Sequence, residues 1–242
     1  MIWIITGKIG GGKTLYVVNE ALKKFAAGGL VMGNVFFKHD QVAEIVERRY
    51  NRKYDAERQF QLLDYELEPM FQNKLQQGVR GSSVMVIIDE AHLYYPAHGH
   101  ATQDKILSKL NSFMSQSRKV HIDLFFITQD ISILYHRIKA QAEHRIHCLD
   151  ARKKTLPFIG AVPGAGLKWV EKDVKSNMVL GGGSTPLDPK IFDCYDSFQM
   201  YDEQMRNLKL SMPIFEPLNN KLPPFTGLKS SFARTWKYLK TH

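Results

Sequence analysis

Apolar residues fall in short continuous runs along this chain, separated by stretches in which they recur every three or four positions. The run Ile2, Trp3, Ile4, Ile5 predicts a buried strand, and Leu15, Val18, Leu22 and Phe25 predict a helix behind it. GGLVMGNVFF supplies a glycine stop and a second short strand, and residues 39 to 77 read as mainly helical and strongly charged, covering the sheet. SSVMVII at 82 to 88 predicts a strand covered on both faces, because its apolar run does not alternate. A helix is expected over 103 to 118, a strand in DLFFIT from Asp123 closed by Gln129 and Asp130, and another helix to about Ala140. Further strands are expected at 143 to 149 and 156 to 162, the second in a late hairpin, while GAVPGAG and GGGSTP read as loops. Alternating strand and helix signals predict an α/β fold with a mainly parallel central sheet flanked by helices, which binds ligands at the carboxyl ends of its strands.

Between the first strand and the first helix lies TGKIGGGKT, which meets the pattern G-x-x-x-x-G-K-[ST] at Gly7, Gly12, Lys13 and Thr14. Strand, glycine loop, helix is the order a phosphate cradle requires. Glycines let the backbone turn tightly and aim successive N–H groups inward, and the helix N-terminus adds partial positive charge. The expected nucleotide-binding set is Gly7, Lys8, Gly10, Gly11, Gly12, Lys13, Thr14 and Leu15. Lys13 reaches the β- and γ-phosphates of ATP in this reading, and the Thr14 hydroxyl ligates Mg²⁺.

A nucleotide-hydrolysing site needs acids opposite that loop, and VMVIIDE ends an apolar strand in two of them. Asp89 is placed to hold Mg²⁺ through its shell, and Glu90 to orient or deprotonate the attacking water. At the tip of the next strand, Thr128 and Gln129 fall beside the Asp89 strand if the two are neighbours, where Gln129 senses the γ-phosphate. Arg118, closing the preceding helix with Lys119, is the candidate arginine finger acting on a neighbouring subunit's nucleotide. His92, His98 and His100 lie close together, but their spacing is irregular and matches no metal-ligand motif, so Mg²⁺ is the only metal expected.

Composition narrows the setting. With 242 residues, 44% of them hydrophobic, the chain has room for one substantial core and a small appendage. No run approaches the roughly eighteen apolar residues of a membrane helix, and no charged leader precedes the first strand. Cys148 and Cys194 stand alone without CxxC spacing, which favours a reducing cytoplasm over a disulfide framework or a zinc site. The net charge of +9 is concentrated: residues 218 to 242 hold five Lys/Arg and no acid, leaving +4 for the rest. That basic, aromatic-containing segment, with Phe232, Trp236 and Tyr238, suits the headgroup region beside a membrane.

The ordered blocks TGKIGGGKTL, VIIDEAH, SRK, FFITQDISILYHRIKAQAEHRIHC, TLPFIG and CYDS resemble the N-terminal domain of the zonula occludens toxin (Zot) family, over roughly residues 1 to 217. The resemblance implies a P-loop NTPase fold related to the FtsK/HerA translocases. It also implies an ATPase domain on the cytoplasmic face of the bacterial inner membrane that works in filamentous-phage assembly and export. Gly7, Gly12, Lys13, Thr14, Asp89 and Glu90 match the family's nucleotide motifs, and Gln129 matches the polar residue related translocases carry on the next strand. Members commonly continue into a transmembrane helix and an outer domain, where this chain stops at WKYLKTH, as a trimmed or short relative would.

The leading expectation is therefore a homo-oligomeric ATPase, residues 1 to 217, followed by a basic juxtamembrane tail, residues 218 to 242. Its expected partners are phage coat and assembly proteins, phage DNA and the inner membrane. The alternatives are a packaging ATPase that loads DNA into a preformed capsid, which uses the same site, and a membrane scaffold that binds nucleotide without turnover. The DEAH at 89 to 92 also occurs in helicases built from two RecA-like domains, for which this length leaves no room. A guanine-nucleotide switch lacks its NKxD motif here.

Overall fold

The computed structural model describes residues 1–63, 83–98, 104–151, 155–156, 160–161, 166–185 and 188–196. The expected tail at 218 to 242, the boundary at 217, His100 and the later part of the helical stretch from 39 to 77 lie outside the described residues.

The chain enters strand β1 (Ile2–Thr6), then helix α1 (Lys13–Ala26) and strand β2 (Val31–Gly33). Helices α2 (His39–Tyr50) and α3 (Ala56–Gln59) lead to β3 (Phe60–Leu62), and β4 (Val84–Ile88) is followed by the short α4 (Ala91–Tyr94). Next come α5 (Asp104–Gln116), β5 (Ile122–Ile127), α6 (His136–Gln141) and β6 (His144–Asp150). The final elements are β7 (Thr155–Leu156), β8 (Gly160–Ala161), β9 (Leu167–Asp173), β10 (Val179–Thr185) and α7 (Pro189–Asp193).

Eight strands form one sheet in the order β10-β9-β6-β1-β5-β4-β2-β3. Every pair from β6 to β3 is parallel, while β9 runs antiparallel to both β6 and β10. The expected mainly parallel α/β architecture is therefore the observed one. Two apolar layers sandwich the sheet. On one face, Leu15, Val18, Leu22 and Phe25 of α1 meet Ile45 of α2, Ile191 of α7 and the sheet residues Ile5, Ile87 and Ile146. On the other, Leu110 and Met114 of α5 and Ile138 of α6 meet Ile4, Val86 and Phe126. The four predicted α1 residues are each at most 3% exposed. At about 1.5–3 kcal/mol for each fully buried large apolar side chain, this stripe contributes a major part of what holds α1 to the sheet. All of β4 is buried, as its unbroken apolar run demands.

Four expectations are corrected. Within 39 to 77, Phe60–Leu62 is not helical but an edge strand, parallel to β2 through Val31 and Phe60; tertiary pairing overrides a charged context of weak strand signal. GGGST is not a loop but the body of β10. A Cβ on Gly183 would stand 2.7 Å from the Trp169 ring, so glycine here admits a flat aromatic against the strand and does not mark a turn. Its partner strand, Leu167–Asp173, has no counterpart among the expected elements, because its apolar residues are outnumbered by charges, although it pairs on both sides, with β6 and β10. The late hairpin is present as the antiparallel pair β7–β8, which begins at Thr155, one residue before the expected span, and Gly160–Ala161, read as the start of a GAVPGAG loop, forms β8 instead.

Candidate functional site: a phosphate loop facing two carboxylates

The loop between β1 and α1 occupies the carboxyl end of the sheet. Gly7 has φ 153°, and a Cβ there would lie 2.5 Å from the Cys148 carbonyl oxygen, so only glycine lets the chain leave β1 past β6. Gly12 has φ 87° and opens α1 in a left-handed conformation with no side-chain cap. The first amides of the helix, at Lys13, Thr14 and Leu15, are thus left to an anion, which the helix dipole also favours. The Lys8 carbonyl accepts the Gly11 N–H at 2.8 Å and the Lys13 ammonium at 3.3 Å, which curls the loop around its own lysine. Lys13 is 7% exposed. Leu15 belongs to the buried stripe of α1, so its contribution to a ligand is its backbone N–H.

β4 brings the acids to this loop although it is not β1's neighbour. β5 lies between them, in register Ile4 with Phe126 and Phe126 with Ile88. The Thr14 hydroxyl donates to Asp89 Oδ2 at 3.0 Å, joining the start of α1 to the end of β4. Burial first, then the charge of Glu90, pushes the Asp89 carboxyl up to about 6, against the Thr14 and backbone hydrogen bonds and Lys13, which favour ionisation. Glu90 is also raised by burial, with Lys13 and a hydrogen bond from Gln129 opposing. Gln129 therefore sits where its strand was expected to put it. Glu90 holds φ 48°, ψ 45°, an unusual backbone region for a residue with a side chain, and its Oε2 is buried without a hydrogen bond among the described residues.

The sequence assigns no role to two adjoining residues: Asn34, which no motif marks, and His92, which enters only as a metal-ligand candidate and as part of DEAH. Asn34, just past β2 and 3% exposed, accepts from the Asp89 N–H at 2.7 Å and donates to the Asp89 carbonyl at 3.0 Å. This pair of hydrogen bonds to the backbone holds Asp89 in place from the residue that follows β2, which no motif includes. His92 turns Nδ1 toward Glu90 Oε2 and the Thr128 hydroxyl, each at 3.4 Å. Burial and Lys13 lower its pKa, favouring the neutral ring.

The Thr14, Asp89 and Glu90 oxygens form a hard donor set of the kind that suits Mg²⁺. A buried carboxylate, Asp89, raised by burial and by the charge of the half-buried Glu90 beside it, is an arrangement a divalent cation relieves. Arg118 does not join this group. It lies before β5, at the amino ends of the strands, where its Nη2 contacts Glu143 at 2.7 Å and its side chain is 70% exposed. The six residues of β5 separate it from Gln129 by about 20 Å.

The profile of the Zonular occludens toxin (Zot) family matches residues 1–200. The chain belongs to the Zot family. Among curated relatives of this Zot-family chain, the Gene 1 protein of Enterobacteria phage I2-2 is 27% identical over 192 residues, which are 78% of this chain and 47% of that protein. The chain thus spans about half the length of the curated relatives it matches. The N-terminal domain of zonular occludens toxin from Neisseria meningitidis is 17% identical, with 81% of this chain and 98% of that one covered and a TM-score of 0.49. A DnaB-like replicative helicase is 12% identical at a TM-score of 0.52, covering 78% of this chain and 56% of that one. The Zot-family chain has the P-loop NTPase fold.

Proposed function

We propose that this chain is an ATP-hydrolysing motor domain for filamentous-phage assembly and export. The observation that carries the reading is the Thr14–Asp89 hydrogen bond, which closes the phosphate loop onto the buried Asp89 and the half-buried Glu90 beside it, together with membership of a family with phage relatives. ATP binds with its β- and γ-phosphates on the amides of Gly10 to Leu15 and the Lys13 ammonium. Mg²⁺, held through Thr14 and Asp89, supplies neutralising charge on the phosphate oxygens. Glu90 Oε2 takes a proton from water as its oxygen attacks the γ-phosphorus and the bond to ADP breaks. Gln129, bonded to Glu90, orients that water or reads the γ-phosphate, and the neutral His92 ring lies 3.4 Å from the same carboxylate oxygen. Phosphate release at saturating MgATP tests the reading; binding without turnover would make the protein a nucleotide-dependent scaffold.

The same proposal puts Arg118 to work on a neighbouring subunit. An exposed guanidinium, distant from its own chain's loop, is free to exchange Glu143 for a phosphate across a homo-oligomer interface. Arg118→Ala should lose turnover, and mixing it with Lys13→Ala subunits, which retain Arg118, should restore part of the activity. No rescue in demonstrably mixed oligomers removes Arg118 from this role. Residues 218 to 242, in this proposal, hold the domain at the cytoplasmic face of the inner membrane, since their five basic residues each contribute about 1 kcal/mol at an anionic surface. Among the described residues no helix is long and apolar enough to cross a membrane. Deleting 218 to 242 should abolish flotation with anionic liposomes, and unchanged flotation would refute the tail's part.

A further inference from the structure

Beside the nucleotide loop, the β6–β9 part of the sheet sorts its charges by face. Direct register pairs Arg145 with Lys172, His147 with Val170 and Leu149 with Lys168. Since successive residues of a strand point to opposite faces, these six share one face. It holds three formal cations and a histidine, and no carboxylate. The acids of the same strands, Asp150, Glu171 and Asp173, alternate onto the other face, where His144 contacts Glu171 at 2.7 Å. His147, Lys168 and Val170 are exposed. Next to them, β10 presents the small Gly182 and Ser184 opposite Val170 and Lys168, so the face continues there as a low shelf, with the exposed Val179 opposite Lys172 at its end. Asp130 feels the charges of Arg145 and Lys139, both of which favour its ionised form.

This arrangement is unfavourable for the protein alone. Arg145 and Lys172 stand directly opposite each other across two strands, and like charges so placed destabilise a sheet. Burial and these two cations also push His147 below its ordinary pKa. A polyanion on the face removes that repulsion. Three strands span about 10 Å, narrow for a duplex and suited to one backbone, and on the β1 side the shelf is bounded by the α5 and α6 layer that packs on Ile4 and Phe126 of the same face. The shelf also touches the ATP loop: Arg145 Nε donates to the Thr6 hydroxyl at 3.3 Å, the His147 ring meets the same hydroxyl at 3.2 Å, and Gly7 follows.

We infer that the β6–β9–β10 shelf, through Arg145, His147, Lys168 and Lys172, binds the phosphodiester backbone of a single nucleic-acid strand alongside the nucleotide loop. The inference deepens the motor reading by giving its DNA a place, and it rests on that reading only for its role in transport.

The test is fluorescence anisotropy of a labelled single-stranded oligodeoxythymidine of about 20 nucleotides, without ATP, from about 50 to about 200 mM salt, using the full chain. Each phosphate neutralised on a single strand adds about 0.7 to the slope of log affinity against log salt. Lys168→Gln/Lys172→Gln should therefore flatten the slope by about 1.4 and weaken low-salt binding. Lys23→Gln/Lys53→Gln, an equal charge change on exposed positions elsewhere, should do neither. Residues 218 to 242 are common to all the proteins, so differences between them report the shelf. Because binding is read without nucleotide and turnover is assayed separately, failure of the shelf is distinguished from failure of the ATPase reading. Melting temperatures establish that the variants fold. The inference is overturned by an unchanged slope in the shelf variant, an equal loss in the control pair, absence of binding at low salt, or tighter binding of a duplex of equal length. Loss of anionic-vesicle binding with unchanged DNA binding would instead assign the shelf to a membrane.

Discussion

Lys13→Ala is expected to bring phosphate release at saturating MgATP below detection, a loss of at least about 100-fold, and to weaken ATP binding by a similar factor. The reason is local and electrostatic. Lys13 is nearly buried, its ammonium is held on the Lys8 carbonyl, and its charge bears on both Asp89 and Glu90. Backbone amides supply dipoles but no net charge, so alanine removes the one cation among the described residues that opposes both raised carboxyls. Both then move further toward protonation, which weakens the site for a metal as well as for phosphate. Folding should survive, because the apolar stripe of α1 is intact. Turnover equal to the parent in a folded variant would refute the site.

Glu90→Gln should separate binding from chemistry. Removing a general base lowers turnover by about 10²- to 10⁴-fold, while the isosteric amide leaves Thr14, Asp89 and the loop to hold nucleotide within a few-fold of the parent affinity. The substitution also removes the like charge that helps raise Asp89, so Asp89 should titrate below its parent position of about 6 and keep its charge to lower pH. ATP binding by isothermal calorimetry, single-turnover hydrolysis and the pH dependence of binding read these effects. If nucleotide affinity collapses while turnover per bound ATP persists, Glu90 is a structural residue of the strained turn at the end of β4.

The phosphate loop was legible because its chemistry is local. Gly7, Gly12, Lys13 and Thr14 lie within eight consecutive positions, and the glycines mark positive φ and close approach that few other residues tolerate. Asp89 and Glu90 were legible for a related reason, since an apolar strand that ends in two acids points them at whatever occupies the sheet's carboxyl edge. Asn34 and His92 were not legible as site residues. Each acts through a contact with a group distant along the chain but on a neighbouring strand of the sheet, Asn34 on the Asp89 backbone across β2–β4 and His92 on Thr128 across β4–β5. The run GGGST misled because glycine serves turns and close packing alike, and only the Trp169 ring distinguishes the two.

What the amino-acid order alone determined was the alternation of strand and helix, the parallel core and the loop that faces the acids, all encoded in short-range periodicity and contiguous motifs. Tertiary structure decided the strand order that inserts β5 between β1 and β4, so that Gln129 reaches Glu90, and it placed Arg118 at the far end of the same strand. It also paired β9 and β10 onto β6 and thereby gathered Arg145, Lys168 and Lys172 on one face. Periodicity assigns a residue to a face of its own element, whereas pairing energies summed over the whole sheet choose which elements become neighbours, and no single segment contains that choice.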